Sequence, residues 1–149
     1  MQCAVHIKKI LDKEQIDVSI CACDDAFLNP VSKRENYAEL LQKIVSYADF
    51  YVASSEQVMG YAAVYANDYH TKVAYLTLIA VNPEFQRKNI GALLLEQCEK
   101  TALKKGFERM RLQVKNNNNS AIQFYMKRGY QKASIADQNS FYMEKRLVK

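Results

Sequence analysis

With 149 residues, 49% hydrophobic and 25% charged, the chain has enough length for one domain with a sizeable core and too much apolar content to stay disordered. No apolar run approaches the roughly 20 residues that cross a bilayer. Lys8-Lys9 falls where a secretory signal needs its apolar stretch, so we expect a cytoplasmic protein with no membrane partner. The net charge of +5 comes from basic residues scattered in pairs; no nucleic-acid partner is expected, and a polyphosphate ligand suits such a modest excess equally well.

In chain order, Val5 to Ile10 reads as a first strand. Asp12 stands three residues before Gln15, the spacing of a capping box, and opens a helix expected to reach about Phe27, before the breaker Asn29-Pro30. Ser32 stands three residues before Glu35, a second such box, for a helix to about Ala48. Strands over 49–54 and 58–66 flank Ser55-Glu56-Gln57 as a hairpin. After the polar loop Asn67 to His70, Lys72 to Val81 is long enough for a central strand, which Asn82-Pro83 ends.

Ile90, Leu94, Cys98 and Ala102 then share one helical stripe, with Glu96, Glu99, Lys100 and Lys104 off it and Gly106 as the stop. Phe107 to Val114 reads as a strand and Asn118 to Arg128 as a short helix closed by Gly129. Tyr130 to Ile135 and Phe141 to Leu147 read as two last strands. The order is mixed α/β: a hairpin, then a strand-helix-strand-helix unit. The cysteines Cys3, Cys21, Cys23 and Cys98 contain no C-x-x-C pair and only two histidines accompany them. That set argues against a metal site and for reduced thiols, with Cys98 a buried small residue of the helical stripe.

The most informative stretch runs from Ala80 to Leu95: a strand, a tight loop holding Arg87 and Lys88, then a helix beginning near Gly91. The free N–H groups of a helix start make a site for phosphate, and a glycine lets a pyrophosphate approach the backbone. By itself the segment fits an ordinary strand-loop-helix corner as well.

Gln86-Arg87-Lys88-Asn89-Ile90-Gly91 resembles the coenzyme A loop of the GNAT superfamily of N-acetyltransferases, Gln/Arg-x-x-Gly-x-Gly/Ala after a central strand. Asn89 stands where the first glycine does, and asparagine is the residue that next best tolerates positive φ. Asn118 to Tyr130 resembles a second signature of the family, Asn-x-x-Ala-x-x-x-Tyr-x-x-x-Gly-Phe/Tyr, and the resemblance extends from about Asp24 to Lys145. It implies one GNAT domain over residues 1–149, with a mixed, largely antiparallel twisted sheet of about six to seven strands flanked by four helices.

The resemblance further implies acetyl transfer from acetyl-coenzyme A to a primary amine. Backbone groups of Ile79, Ala80 and Val81 would pair with the pantetheine arm, one of them donating to the thioester oxygen. Gln86, Arg87, Lys88, Asn89, Ile90, Gly91 and Ala92 would hold the pyrophosphate. Asn118 would cap its helix and bond the pantetheine, Tyr125 would be the general acid, and Phe124 and Lys127 would lie against the cofactor. Arg128 could reach the phosphates or stay solvated.

Thr77 stands where many members place a basic glutamate. We therefore expect direct attack by the neutral amine in a ternary complex, or proton loss through water to a backbone carbonyl or a loop residue, with Asp68, His70 and Tyr75 ranked after these as bases. The resemblance places Phe27 to Arg34, Tyr65, Tyr69, Tyr75, Thr77 and Ser134 to Ser140 on the acceptor side. A small-molecule amine is the expected acceptor. A lysine or N-terminal protein acetyltransferase and a non-catalytic coenzyme A-binding module are the alternatives, and a monomer or homodimer is expected.

Overall fold

The computed structural model describes residues 4–148. In chain order its regular elements are β1 His6–Lys9, α1 Lys13–Ala22, α2 Tyr37–Tyr47, β2 Ala48–Ser54, β3 Val58–Tyr65, β4 Val73–Val81, α3 Ile90–Lys104, β5 Arg109–Lys115, α4 Asn119–Lys127, β6 Gln131–Asp137 and β7 Ser140–Arg146. The strands make one sheet in the order β1-β2-β3-β4-β5-β7-β6. Every neighbour is antiparallel except the β4–β5 pair, which is parallel. The mixed sheet with four α-helices among the described residues is the architecture expected from the sequence.

Alternation along the strands divides the core into two layers. Ile16 and Ile20 of α1 and Leu41 and Ile44 of α2 pack on Phe50, Val52, Tyr61, Ala63, Leu78 and Ala80. On the other face Leu94, Leu95, Cys98 and Ala102 of α3, with Tyr125 of α4, pack on Ala62, Val64, Ala74, Leu76, Met110 and Leu112. Each fully buried leucine or isoleucine contributes about 2 kcal/mol. Cys98 lies in this layer with no exposure, as its place on the helical stripe predicted, and burial pushes its thiol pKa up. Gly60 sets the depth of α3: a Cβ there would meet Ala80 O at 2.6 Å and Leu94 Cδ1 at 3.2 Å.

Two helix boundaries differ from expectation, for one reason. Asp12 caps α1 as predicted, its carboxylate accepting from the Gln15 N–H at 3.1 Å. The helix stops at Ala22, however, and Asp24–Ala26 form a separate 3-10 turn. Two carboxylates at a helix C-terminus oppose the dipole, and Asp24 instead accepts from both the N–H and the hydroxyl of Ser32. Ser32 is thereby spent and caps nothing, so α2 begins at Tyr37, after Asn36, with no side-chain cap. Of the four cysteines, Cys3 lies outside the described residues; Cys21, Cys23 and Cys98 are free thiols.

Asp49 on β2 ties three elements together. It is 5% exposed and binds Lys9 of β1 at 2.7 Å and Lys105, after α3, at 2.6 Å. Burial pushes its pKa up, but the two ammonium groups outweigh that and hold it below the usual carboxylate range. A depressed folded pKa stabilises above the unfolded value of about 4 and is lost as pH falls through the folded one. Asp49→Asn should cost about 2 kcal/mol at pH 7, less than the ~3–5 of a fully buried pair because both lysines keep partial solvent contact. Urea melts should show this loss, and the gap between wild type and variant should close as the pH is taken below about 4.

Candidate functional site

The parallel pairing of β4 with β5 covers only Val73, Ala74 and Tyr75 against Arg109, Met110 and Arg111. Beyond it the strands part, so the β5-facing edge of β4 from Leu76 to Val81 has no strand partner. The cause is local. Ala63 pairs with Leu78 and Val64 with Leu76, which makes Thr77 the extra residue of a β-bulge. A bulge bends its strand and increases the twist. It also switches faces: Ala74 and Leu76 lie in the α3–α4 layer, whereas Leu78 and Ala80 lie in the α1–α2 layer. Ile79, Ala80 and Val81 therefore hold β3 with one edge and leave the other unpaired.

At the end of β4 the chain enters the loop before α3. Arg87 and Asn89 both have positive φ, 68° and 66°, which places Asn89 in the left-handed conformation expected of it. Its side chain makes no cap bond, so the first amides of α3 keep their donors. Arg87, Lys88 and Asn89 are exposed, with Lys88 leaning over the Phe85 ring at 5.7 Å, and Ile90 and Ala92 are buried. Gln86 donates to Val81 O at 3.2 Å and ties the loop to the strand. A Cβ on Gly91 would approach the Phe124 ring at 3.3 Å, so this glycine lets α3 and α4 touch as well as leaving its amide accessible.

Asn118 caps α4, accepting from Ala121 N at 3.2 Å. Phe124 is half-buried between Gly91 and Arg128, whose guanidinium stacks on the ring at 4.0 Å and donates to Phe124 O at 2.9 Å. Arg128 is thus held on Phe124, while Lys127 is exposed. Tyr125 is 8% exposed, and burial, with a smaller push from Cys98, raises its phenol pKa to about 12. That group stays protonated at neutral pH.

A cavity of about 360 Å³ lies at the mouth of the β4–β5 opening, lined by Tyr75, Leu76, Thr77, Gln113, Val114, Lys115, Asp137, Asn139 and Ser140. Gln113 and Lys115 alternate with Leu112 and Val114, which face α3 and α4. The polar side chains of the cavity therefore occupy the opposite face of the sheet. Gln113 is its hub: Nε2 donates to Ser140 Oγ at 2.7 Å and to Asp137 Oδ2 at 3.5 Å, and the Tyr75 phenol reaches its Oε1 at 3.5 Å. Asp137 is exposed, and its bonds from the Asn139 N–H and Ser140 hold its pKa below the usual range.

Of the residues expected on the acceptor side, Tyr75, Thr77, Asp137, Asn139 and Ser140 line this cavity. Tyr65 pairs with Tyr75 across the strands and turns its ring beneath the Lys43 ammonium at 5.1 Å. Its phenol oxygen is buried with no hydrogen-bond partner among the described residues; burial raises its pKa, and the nearby Thr77 hydroxyl offsets part of that rise. Phe27 stands apart from the cavity, stacked under Arg34 at 5.4 Å. Asp68 and His70 are also elsewhere: Asp68 is an exposed turn residue accepting from the N–H groups of His70 and Thr71.

Asp137, Asn139 and Ser140 belong to the Ser134 to Ser140 segment expected near the acceptor, whereas nothing in the sequence marks Gln113 and Lys115 as cavity residues. Only the β5–β7 register brings Gln113 and Lys115 beside the β6–β7 turn. No group of three or more His, Cys, Asp or Glu that could hold a metal occurs among the described residues, and no helix there is long and apolar enough to cross a membrane.

Comparison with known proteins bears on the family and the fold. Residues 20–130 match the model of the acetyltransferase (GNAT) family. The spermidine N(1)-acetyltransferase of Thermoplasma acidophilum is 38% identical over 73 residues, 49% of this chain and 45% of that protein, so less than half the length of this curated relative is matched. The PaiA N-acetyltransferase of T. acidophilum, solved in complex with coenzyme A, superposes with a TM-score of 0.81 at 25% identity, over 96% of this chain and 99% of that one. The ribosomal-protein-S18-alanine N-acetyltransferase of Escherichia coli shares the fold, with a TM-score of 0.80 at 18% identity over 98% and 96% of the two chains. A sheet opened by a bulge in β4, an uncapped helix after a left-handed turn, and a family match over most of the chain lead to one conclusion: this chain belongs to the GNAT acetyltransferase family.

Proposed function

We propose that the protein transfers the acetyl group of acetyl-coenzyme A to the primary amine of a small molecule. The observation that carries this reading is the opening between β4 and β5, with an unpaired β4 edge and a polar cavity of about 360 Å³ at its mouth. The residues present fit the donor. The free edge at Ile79, Ala80 and Val81 suits an extended amide arm, and the α3 amides with Arg87 and Lys88 suit a pyrophosphate. Bound acetyl-coenzyme A supplies an acetyl group activated as a thioester.

The chain's own groups then divide the work. A β4 N–H beyond the bulge donates to the thioester oxygen, Asn118 holds the start of α4 against the arm, and Tyr125 carries the proton that the departing sulfur requires. Asp137 is the carboxylate of the cavity, and its low pKa suits it to binding an ammonium group better than to removing a proton. The acceptor accordingly reacts as its neutral fraction, with Tyr75, Thr77 and Gln113 orienting it; the proton its nitrogen loses on forming the amide leaves through water, which also returns a proton to Tyr125. The likeness to a spermidine acetyltransferase puts polyamines first among small acceptors.

Three measurements test this. A turnover screen with free-thiol detection over spermidine, an amino sugar, lysine and a lysine peptide should show a rate with at least one small amine. Coenzyme A binding with no turnover across the panel would instead support a non-catalytic module, and turnover with the peptide alone a protein acetyltransferase. Tyr125→Phe should lower kcat by about 10- to 100-fold while coenzyme A affinity persists; an unchanged kcat removes Tyr125 from the chemistry. Gly91→Leu, which must displace Phe124 and cover the first amides of α3, should weaken coenzyme A binding at least about tenfold in calorimetry. Undiminished affinity would discredit the loop as the phosphate site.

A further inference from the structure

The Tyr125 phenol has no hydrogen bond from any side chain among the described residues, so its aim depends on what confines its ring. Two neighbours do so. Phe124 meets it edge-on at 5.3 Å and 76°, and Tyr130 meets it at 5.7 Å and 64°. Phe124 is half-exposed and answers to Gly91 in the first turn of α3. Tyr130 is different: it is 2% exposed and anchored at both ends. Its N–H donates to Tyr125 O at 3.1 Å, and its hydroxyl donates to Glu99 Oε2 at 2.7 Å. The other oxygen of Glu99 accepts from Lys145 at 3.0 Å, and that ammonium stands 5.7 Å over the Tyr130 ring. Packing alone does not require this arrangement, because phenylalanine would fill the same space without a buried hydroxyl to satisfy.

We propose that Glu99, acting through Tyr130, is a positioning residue that aims the Tyr125 phenol at the β4–β5 opening. Glu99 belongs to α3, whose first turn is assigned to the cofactor, and Lys145 belongs to β7, which pairs with β5 on the far side of the opening. The cluster therefore references the acid to both walls of the site. This inference rests on the acid role proposed for Tyr125, and the test separates the two.

Steady-state kinetics would use acetyl-coenzyme A with whichever panel amine is turned over fastest. Glu99→Ala and Tyr130→Phe should each lower kcat about tenfold while KM for acetyl-coenzyme A stays within about twofold, as expected for a misaimed group rather than a lost binding contact. Glu99→Gln keeps an oxygen for the Tyr130 hydroxyl and should recover most of the rate. In a Tyr125→Phe background Glu99→Ala should cause no further loss, because residues acting through one another are not additive.

A second full loss in that background, or an undiminished kcat in Tyr130→Phe, overturns the proposal. If Tyr125→Phe alone is silent, it is the acid role that has failed. A readout independent of activity uses protein labelled with 13C at the tyrosine ring, with the Tyr125 signal identified by its absence from Tyr125→Phe. That signal should shift or broaden in Tyr130→Phe, and a signal that stays in place counts against positioning. Tyr130→Phe and Glu99→Gln, both nearly isosteric, carry the test if Glu99→Ala does not fold.

Discussion

β4 and β5 share only three residue pairs before they part, and almost everything that can be said of this protein's chemistry depends on that separation. A parallel pair inside a sheet ordinarily continues for the length of its strands, since every unpaired backbone group at such depth is unfavourable. Here the pairing ends at Tyr75 because Thr77 is inserted as a bulge on β4, which bends the strand away and adds twist. The edge left behind is a row of donors and acceptors in the middle of the sheet, where an extended ligand can complete the ladder.

The same bulge decides which side chains meet. Without it, Ala74, Leu76, Leu78 and Ala80 would all face one helix layer; with it, the first two serve α3 and α4 and the last two serve α1 and α2. Tyr125 and the start of α3 then lie on one face of the sheet, and the cavity residues Gln113 and Lys115 lie on the other. Two reactants that must meet but arrive separately are well served by an opening with distinct faces, which is the geometry that positions rather than merely binds.

Rigid supports surround the opening. Asp49 locks β1, β2 and the end of α3 with two ammonium groups. Glu99, Tyr130 and Lys145 join α3 to β7 on the opposite wall. Gly60 and Gly91 allow the close contacts that bring α3 down onto the sheet and against Phe124. The polar groups of the cavity are in contrast mostly exposed, and the Tyr65 phenol oxygen is buried with no hydrogen-bond partner among the described residues. The α3 side of the opening is braced by packing and charge, and the cavity on the opposite face is left open.

Sequence alone determined the elements that depend on local chemistry. The β2–β3 hairpin, the long strand β4, the stripe of α3, the caps of Asp12 and Asn118 and the positive φ of Asn89 are short-range properties of residue type and spacing, and all were legible. The loop from Gln86 to Ala92 and the α4 signature were legible for the same reason, as continuous stretches of chain. The start of α2 was misread because Ser32 answers to Asp24, a partner set by how the turn after α1 folds back.

Only the tertiary structure decided the site itself. That Thr77 is a bulge appears only in its register against β3; that Gln113, Asp137 and Ser140 meet appears only when β7 lies between β5 and β6; that Asp68 and His70 miss the cavity follows from where the β3–β4 loop ends. The physical reason is that a residue's own chemistry biases its backbone within a few positions, while which side chains face one another across a sheet depends on strand order and register, which the whole core chooses together.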